Sequence, residues 1–171
     1  GLPAEGVEPI VICTEGGGAW ADQLRSEGHL VEILSAADRS AEMSVLLRRR
    51  GIQLVNAHYS TLGTPVAASL EIPVVVTIHN AYAWLGGALY DEFRSCDPYV
   101  GCYIAQSEFV AEFSARRFYI ERDRIAVVRN GVRAPSLPSR ADTRAYARQT
   151  LGIPWDAEVV LQIGSLSRVK G

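Results

Sequence analysis

The sequence predicts an α/β fold, a doubly wound parallel sheet of the Rossmann-like kind. Short apolar runs alternate with amphipathic stretches along most of the chain, the pattern of repeated strand–helix–strand units. Pro73 to Ile78 is a continuous, strongly β-branched run, as expected of a strand covered on both faces. The runs end in glycine or polar tips, namely Gly16-Gly17-Gly18, His58, His79 and Ser107. In such sheets ligands sit at the carboxyl ends of the strands.

Each element has a local reason. Pro9 to Thr14 reads as a strand, and Ala19 to Glu27 as a helix with Trp20 and Leu24 four apart and Gly28 as its stop. Leu30 to Leu34 is the next strand. Ser40 is expected to cap a helix carrying Met43, Leu46 and Leu47 on one face, with Arg48, Arg49 and Arg50 as its solvated last turn and Gly51 at its end. Gln53 to Ala57 is a strand leading into His58, and a short helix follows around Pro65 to Leu70. Between Ala81 and Pro98, Gly86-Gly87 suggests a loop joining two short helices. Tyr103 to Gln106 is a strand, after which Ser107 caps a helix with Val110 and Phe113 facing inward. Ile125 to Val128 precedes Asn130-Gly131, a turn-forming pair. Ala134 to Ser139 reads as a linker. Asp142 is expected to cap a helix to Leu151, closed by Gly152 and Pro154, and Glu158 to Ile163 reads as a last strand.

Composition narrows the function. The 171 residues carry 17 Lys+Arg and 19 Asp+Glu, a net charge of 17 − 19 = −2, which argues against a general nucleic-acid binder. No apolar run approaches the length of a membrane span. Cys13, Cys96 and Cys102 lack CxxC spacing and read as reduced thiols, with Cys96 and Cys102 as small buried apolar residues. His29, His58 and His79 show no metal-ligand spacing, so no metal is expected. No secretion leader is apparent. The chain opens on Gly1-Leu2-Pro3 and stops at Val169-Lys170-Gly171, so a fragment is expected.

The tips carry the candidate chemistry. Gly16 to Gly18 can bring helix amides close to an anion or can simply make a tight turn; Glu15 beside them opposes an anion. His79 follows a buried strand and can donate or accept near neutral pH, or sit as a satisfied polar residue under a loop. If the strands ending at His58 and His79 are neighbours, they lie about 5 Å apart and both rings line one cleft. Lys170, with Arg168 two residues before it, stands in a glycine-bounded loop that can hold a diphosphate or can be a solvated basic turn.

Four runs, in this order and spacing, form a family pattern. Val55-Asn56-Ala57-His58 followed by Pro73 to Asn80 resembles the middle of the N-terminal domain of retaining glycosyltransferases of family 4, which have the GT-B fold. Asp97-Pro98-Tyr99 through Ile104-Ala105-Gln106-Ser107-Glu108 resembles that family's strand followed by Ser-Glu. Arg124 to Val132 is similar to its R-I-x-V-I-x-N-G-V run. Ile163 to Gly171 resembles V-G-R-L-x-x-x-K-G, which opens the C-terminal domain. The match spans roughly residues 10–171.

The resemblance implies a sugar transferase that uses a nucleotide-sugar donor and retains anomeric configuration, with no metal and no further cofactor. Residues 1–133 would be the acceptor-side domain lacking its first strand. Residues 134–154 would be a linker and helix, and 155–171 the start of the donor-binding domain. His79 matches the family's cleft histidine, which contacts the transferring sugar. Lys170 matches the lysine on the donor diphosphate, with Gly164, Ser165 and Arg168 beside it. Gly16, Gly17, Gly18, His58, Ser107 and Asn130 would line the cleft on the acceptor side. Ser165 stands where the family has arginine, so one of two cationic diphosphate contacts is missing unless Arg168 substitutes. The paired glutamates of the donor domain are absent, so this length alone is not expected to catalyse transfer. The expected partners are a nucleotide sugar and a glycan or lipid-linked acceptor. The expected location is the cytoplasm, with peripheral contact at the inner membrane face as the family's habit. A sugar-nucleotide epimerase on the same scaffold and a non-catalytic Rossmann-like binding module are the competing readings.

Overall fold

The computed structural model describes residues 5–83, 85–131, 139–161 and 163. The chain divides into two compact units, Gly1–Asn130 and Gly131–Gly171.

In the first unit every strand pairing is parallel. β1 (Ile10–Cys13) and β2 (Leu30–Ile33) form one ladder, joined through α1 (Ala19–Ser26). β3 (Val55–His58), β4 (Val74–Ile78), β5 (Cys102–Ala105) and β6 (Ile125–Val127) form a second, in that spatial order. Their crossovers are α3 (Gly63–Ser69), α4 (Gly87–Ser95) and α5 (Glu108–Phe118), while α2 (Arg39–Arg49) links the two ladders. Each crossover in the second ladder steps one strand in the same direction, and the right-handed rule then puts α3, α4 and α5 on one face. The residues after β1, Thr14 and Glu15, line the same cavity as those after β3, Tyr59 to Thr61. β1 and β3 share no ladder; the two ladders approach each other only across this cavity. Parallel strands linked by helices are what the alternation of elements predicts.

The core forms where the apolar runs place it. Val74 and Ile78 on β4, Tyr103 and Ala105 on β5 and Ile125 on β6 are buried against Ala67 of α3 and Ala111 and Phe118 of α5. Met43, Leu46 and Leu47 of α2 are all buried, as their spacing requires. Asp97 ties the β4–β5 connection to β6: it accepts from the Tyr103 hydroxyl at 2.9 Å and from Arg124 at 2.9 Å, while Arg124 also donates to the Val100 carbonyl at 2.6 Å. Burial and the Asp97 carboxylate together hold the Tyr103 phenol far above the ordinary tyrosine range.

Several local expectations are corrected. Asp38, not Ser40, caps α2 by accepting from Ala41 N, while Glu42 reaches back to accept from the amides of Ser35 and Ala36, each at 2.8 Å. Asp and Ser are comparable caps, so the choice between two candidates two residues apart fell to the loop that Glu42 fixes. Arg49 and Arg50 are not merely solvated: both pair with Glu32 on β2, and Arg50 holds that carboxyl below its usual range. Trp20 is 77% exposed, and Ala21 is the buried residue of α1. Among the described residues of 81–98 there is one α-helix, α4, and a 3-10 turn at Asp97–Tyr99. Cys96 is buried, but Cys102 only partly so.

The second unit holds α6 (Arg140–Leu151). Its cap is Ser139, not Asp142; the two bond reciprocally, Asp142 N to Ser139 Oγ and Ser139 Oγ to Asp142 Oδ2, because Asp142 stands three residues into a capping-box arrangement. Gly152 closes the helix at φ 64°, a left-handed conformation that glycine takes without strain. The strand expected over Glu158–Ile163 is absent among its described residues, 158–161 and 163. Val159, Val160, Leu161 and Ile163 are exposed and make no ladder, and an apolar run becomes a strand only where a partner pairs with it.

Candidate active site

The carboxyl ends of β3, β4 and β5 bring three polar side chains together. Parallel pairing sets His58 opposite Thr77 and Ile78 opposite Ala105. One residue beyond that last pair, His79 meets Gln106. His58 Nδ1 lies 2.7 Å from His79 Nε2, and Gln106 Nε2 lies 2.6 Å from His79 Nδ1. The ring of Tyr59 stacks on His79 at 4.5 Å with 13° between planes. Below them the Thr77 hydroxyl donates to Asn56 Oδ1 at 2.9 Å. Asn80 Oδ1 accepts from Tyr82 N at 2.7 Å, an Asx turn that folds the loop after β4 back over the sheet.

With the Gln106 amide nitrogen turned toward His79, the network assigns the proton positions. An amide nitrogen can only donate, so Gln106 Nε2 donates to His79 Nδ1. His79 then carries its proton on Nε2 and donates it to His58 Nδ1, which leaves His58 with its proton on Nε2. Loss of water lowers the basicity of both rings below the ordinary histidine range, and for His58 the neighbouring His79 adds to it. Both imidazoles are therefore neutral at pH 7.

Two of the four left-handed non-glycine residues among the described residues stand at the same place, the others being Glu71 and Tyr119. Tyr59 (φ 58°) and Tyr82 (φ 47°) both take left-handed conformations, one just beyond β3 and the other in the loop beyond β4. Such conformations cost about 1–3 kcal/mol in a bulky residue and collect at functional sites. Here they turn two phenol rings toward His79: Tyr59 lies over its face and Tyr82 Oη is 3.5 Å from its backbone N–H. Tyr59 and Tyr82 also line a cavity of about 310 Å³, together with the residues just after β1 and β3.

The structure thus joins His58 and His79, as the neighbouring-strand expectation requires. Gly16 to Gly18 follow β1, next to the cavity-lining Glu15. Gly17 packs close to Ile33, whose terminal Cδ1 lies 2.6 Å from where a Cβ would stand and would have to shift for a larger residue. Ser107 directly follows Gln106, and its hydroxyl accepts from Val110 N at 3.2 Å, so that oxygen serves as the cap of α5. Asn130 is exposed beyond β6 and ends the first unit. Gly164, Ser165, Arg168 and Lys170 lie outside the described residues. The residues that sequence reasoning missed are Gln106 and Tyr59. Their signal was position: each stands at a strand tip next to a residue already singled out. Among the described residues no cluster of three or more His, Cys, Asp or Glu side chains could hold a metal, and no helix is long and apolar enough to cross a membrane.

The polar and aromatic side chains gather at the carboxyl end of a parallel α/β sheet, where such folds commonly place ligands. The chain belongs to glycosyltransferase family 4, whose model matches residues 1–134. Among solved structures it is similar to a glycosyltransferase from Rickettsia africae (TM-score 0.67, 16% identity, covering 90% of this chain and 44% of that one). It is also similar to Anabaena HepE solved with UDP (TM-score 0.63, 16% identity, 80% of this chain and 40% of that one) and with UDP-glucose (TM-score 0.62, 16% identity, 80% and 40%). At this identity the likeness is one of fold. The chain spans less than half the length of these proteins. No curated protein sequence matches it.

Proposed function

We propose that the chain forms the acceptor-side part of a retaining glycosyltransferase that moves a sugar from a nucleotide-sugar donor to an acceptor hydroxyl. The observation that carries this reading is the Gln106–His79–His58 chain at the strand tips. A neutral, tautomer-locked His79 offers one N–H donor of fixed direction. His58 Nδ1 accepts from that donor. When the donor sugar enters, a sugar hydroxyl takes the place of His58 and is oriented by the same N–H.

The proposed chemistry is front-face displacement. The bond from the anomeric carbon to the diphosphate oxygen breaks, the bond to the acceptor oxygen forms on the same face, and the acceptor proton passes to the departing diphosphate. Lys170, with Arg168 and the backbone at Gly164 and Ser165, is assigned to the diphosphate, whose developing charge a nearby cation stabilises. Family membership and the nucleotide-bound relatives support the class of donor. Gly16 to Gly18 and Asn130 are assigned to the cleft wall on the acceptor side.

The test is the full-length protein incubated with a panel of 13C-labelled UDP- and GDP-sugars, followed by NMR of the anomeric carbon. The expected result is transfer, or slow hydrolysis, with the donor's anomeric configuration kept. Inverted product excludes the retaining mechanism. An intact panel excludes the reading altogether, and epimerised nucleotide sugar without glycoside assigns the protein to the epimerase class.

A further inference from the structure

We propose that the cavity beside His79 receives a compact apolar group, an aryl or short branched alkyl substituent, carried by the acceptor. The inference rests on the glycosyltransferase reading and adds the acceptor's class to it. Three observations carry it. First, α4 has no fully buried residue: Tyr90 and Phe93 pack partly buried against the core, Leu89 is 57% exposed, and Leu89 and Phe93 line the cavity. Second, Val76 lies in the middle of β4, flanked by strands on both sides, and is still only partly buried because its side chain faces the same space. A sheet centre and a covering helix normally bury one another, so the space between them is apolar surface that an occupant completes. Third, the lining is mixed: aliphatic and aromatic side chains share it with Glu15, Arg39 and the mutually bonded Thr61 and Glu92.

Tyr59 fixes the direction of the occupant. Its ring belongs both to the cavity wall and to the stack on His79. A molecule with its apolar group against Val76, Leu89 and Phe93 therefore brings its polar end past Tyr59 to the histidines, where a hydroxyl has to be to accept a sugar. The volume sets the size. About 310 Å³ is twice the roughly 150 Å³ that houses a benzene ring, so one substituted ring fits and a long lipid chain does not.

The test is binding to the full-length protein without donor, read by calorimetry and by methyl NMR of Leu62, Val76 and Leu89. Probes are methyl, 4-nitrophenyl and dodecyl β-D-glucopyranoside. The expected result is that the aryl glycoside binds at least about tenfold more tightly than the methyl glycoside and shifts those methyl signals. Leu89→Asp, an exposed substitution, and Val76→Phe, which fills the cavity, should each erase that gain. Equal binding of the two probes, no binding of either, or a gain that survives both variants overturns the proposal. A dodecyl glycoside binding far more tightly than the aryl one overturns the compact occupant. Because no donor is present, failure of sugar transfer leaves this readout unchanged, and loss of the aryl gain in an active transferase defeats this inference alone.

Discussion

His58 Nδ1 and His79 Nε2 share one proton across 2.7 Å, two residues from neighbouring strands whose parallel register sets them at the same end of the sheet. Protonating His58 sets an Nδ1–H against the His79 donor, and protonating His79 sets an Nδ1–H against the Gln106 amide, so either breaks the arrangement. The lowered basicity of both rings agrees with this. In 15N NMR both rings should titrate below the ordinary histidine range, with His79 in the Nε2–H tautomer at pH 7.5. Gln106→Leu should release that tautomer preference without unfolding the protein. A His79 ring that is cationic at neutral pH would contradict the network.

The same shifts predict how stability depends on pH. With folded basicity below that of the unfolded chain, the unfolded state binds more protons once pH falls through about 6.5. Stability is therefore fully present above that point and declines on acidification until the folded rings also protonate. The melting temperature should fall between pH 7.5 and 5.5. His58→Asn should flatten that decline, because it removes one titrating ring and the repulsion on the other.

Tyr59 separates strain from function. Its left-handed backbone costs about 1–2 kcal/mol, and asparagine tolerates that conformation better. In Tyr59→Asn, the relieved strain offsets the lost stack on His79, so unfolding free energy should stay within about 1 kcal/mol of the parent. Transfer activity should fall about tenfold, the equivalent of about 1.4 kcal/mol, because His79 loses the ring that holds its plane. A coupled loss of stability and activity would make Tyr59 merely structural.

Two interior positions test the packing. Ser114 is wholly buried in α5, and its hydroxyl has no hydrogen-bond partner among the described residues. Ser114→Ala should stabilise the protein by about 1 kcal/mol in urea denaturation. Arg124→Ala should destabilise it by about 2 kcal/mol, since it strips the half-buried Asp97 carboxylate of its charge partner and leaves the Val100 carbonyl without that donor.

Much of this was legible in the sequence. The unbroken β-branched run into His79 announced a central strand with a polar tip, and β4 is paired on both sides. The His58–His79 pair followed from two tips and the assumption of adjacent strands. Gln106 was hidden because its role depends on register: only the Ile78–Ala105 pairing puts its amide beside His79. The cavity was hidden for a related reason. The stretch from Ala81 to Pro98 reads as two short helices about a loop, and only packing shows that Leu89 and Phe93 line a cavity. Glu158–Ile163 misled in the opposite direction, since apolar periodicity records a capacity for pairing and not the presence of a partner.

The central claim is that His79 orients the transferring sugar. Its most direct test is the transfer rate of full-length His79→Ala against the parent, with the best donor of the panel and circular dichroism to establish that the fold is kept. Removing one donor aimed at the reacting sugar should lower kcat about a hundredfold or more. A folded His79→Ala protein that transfers at the parental rate would contradict the account.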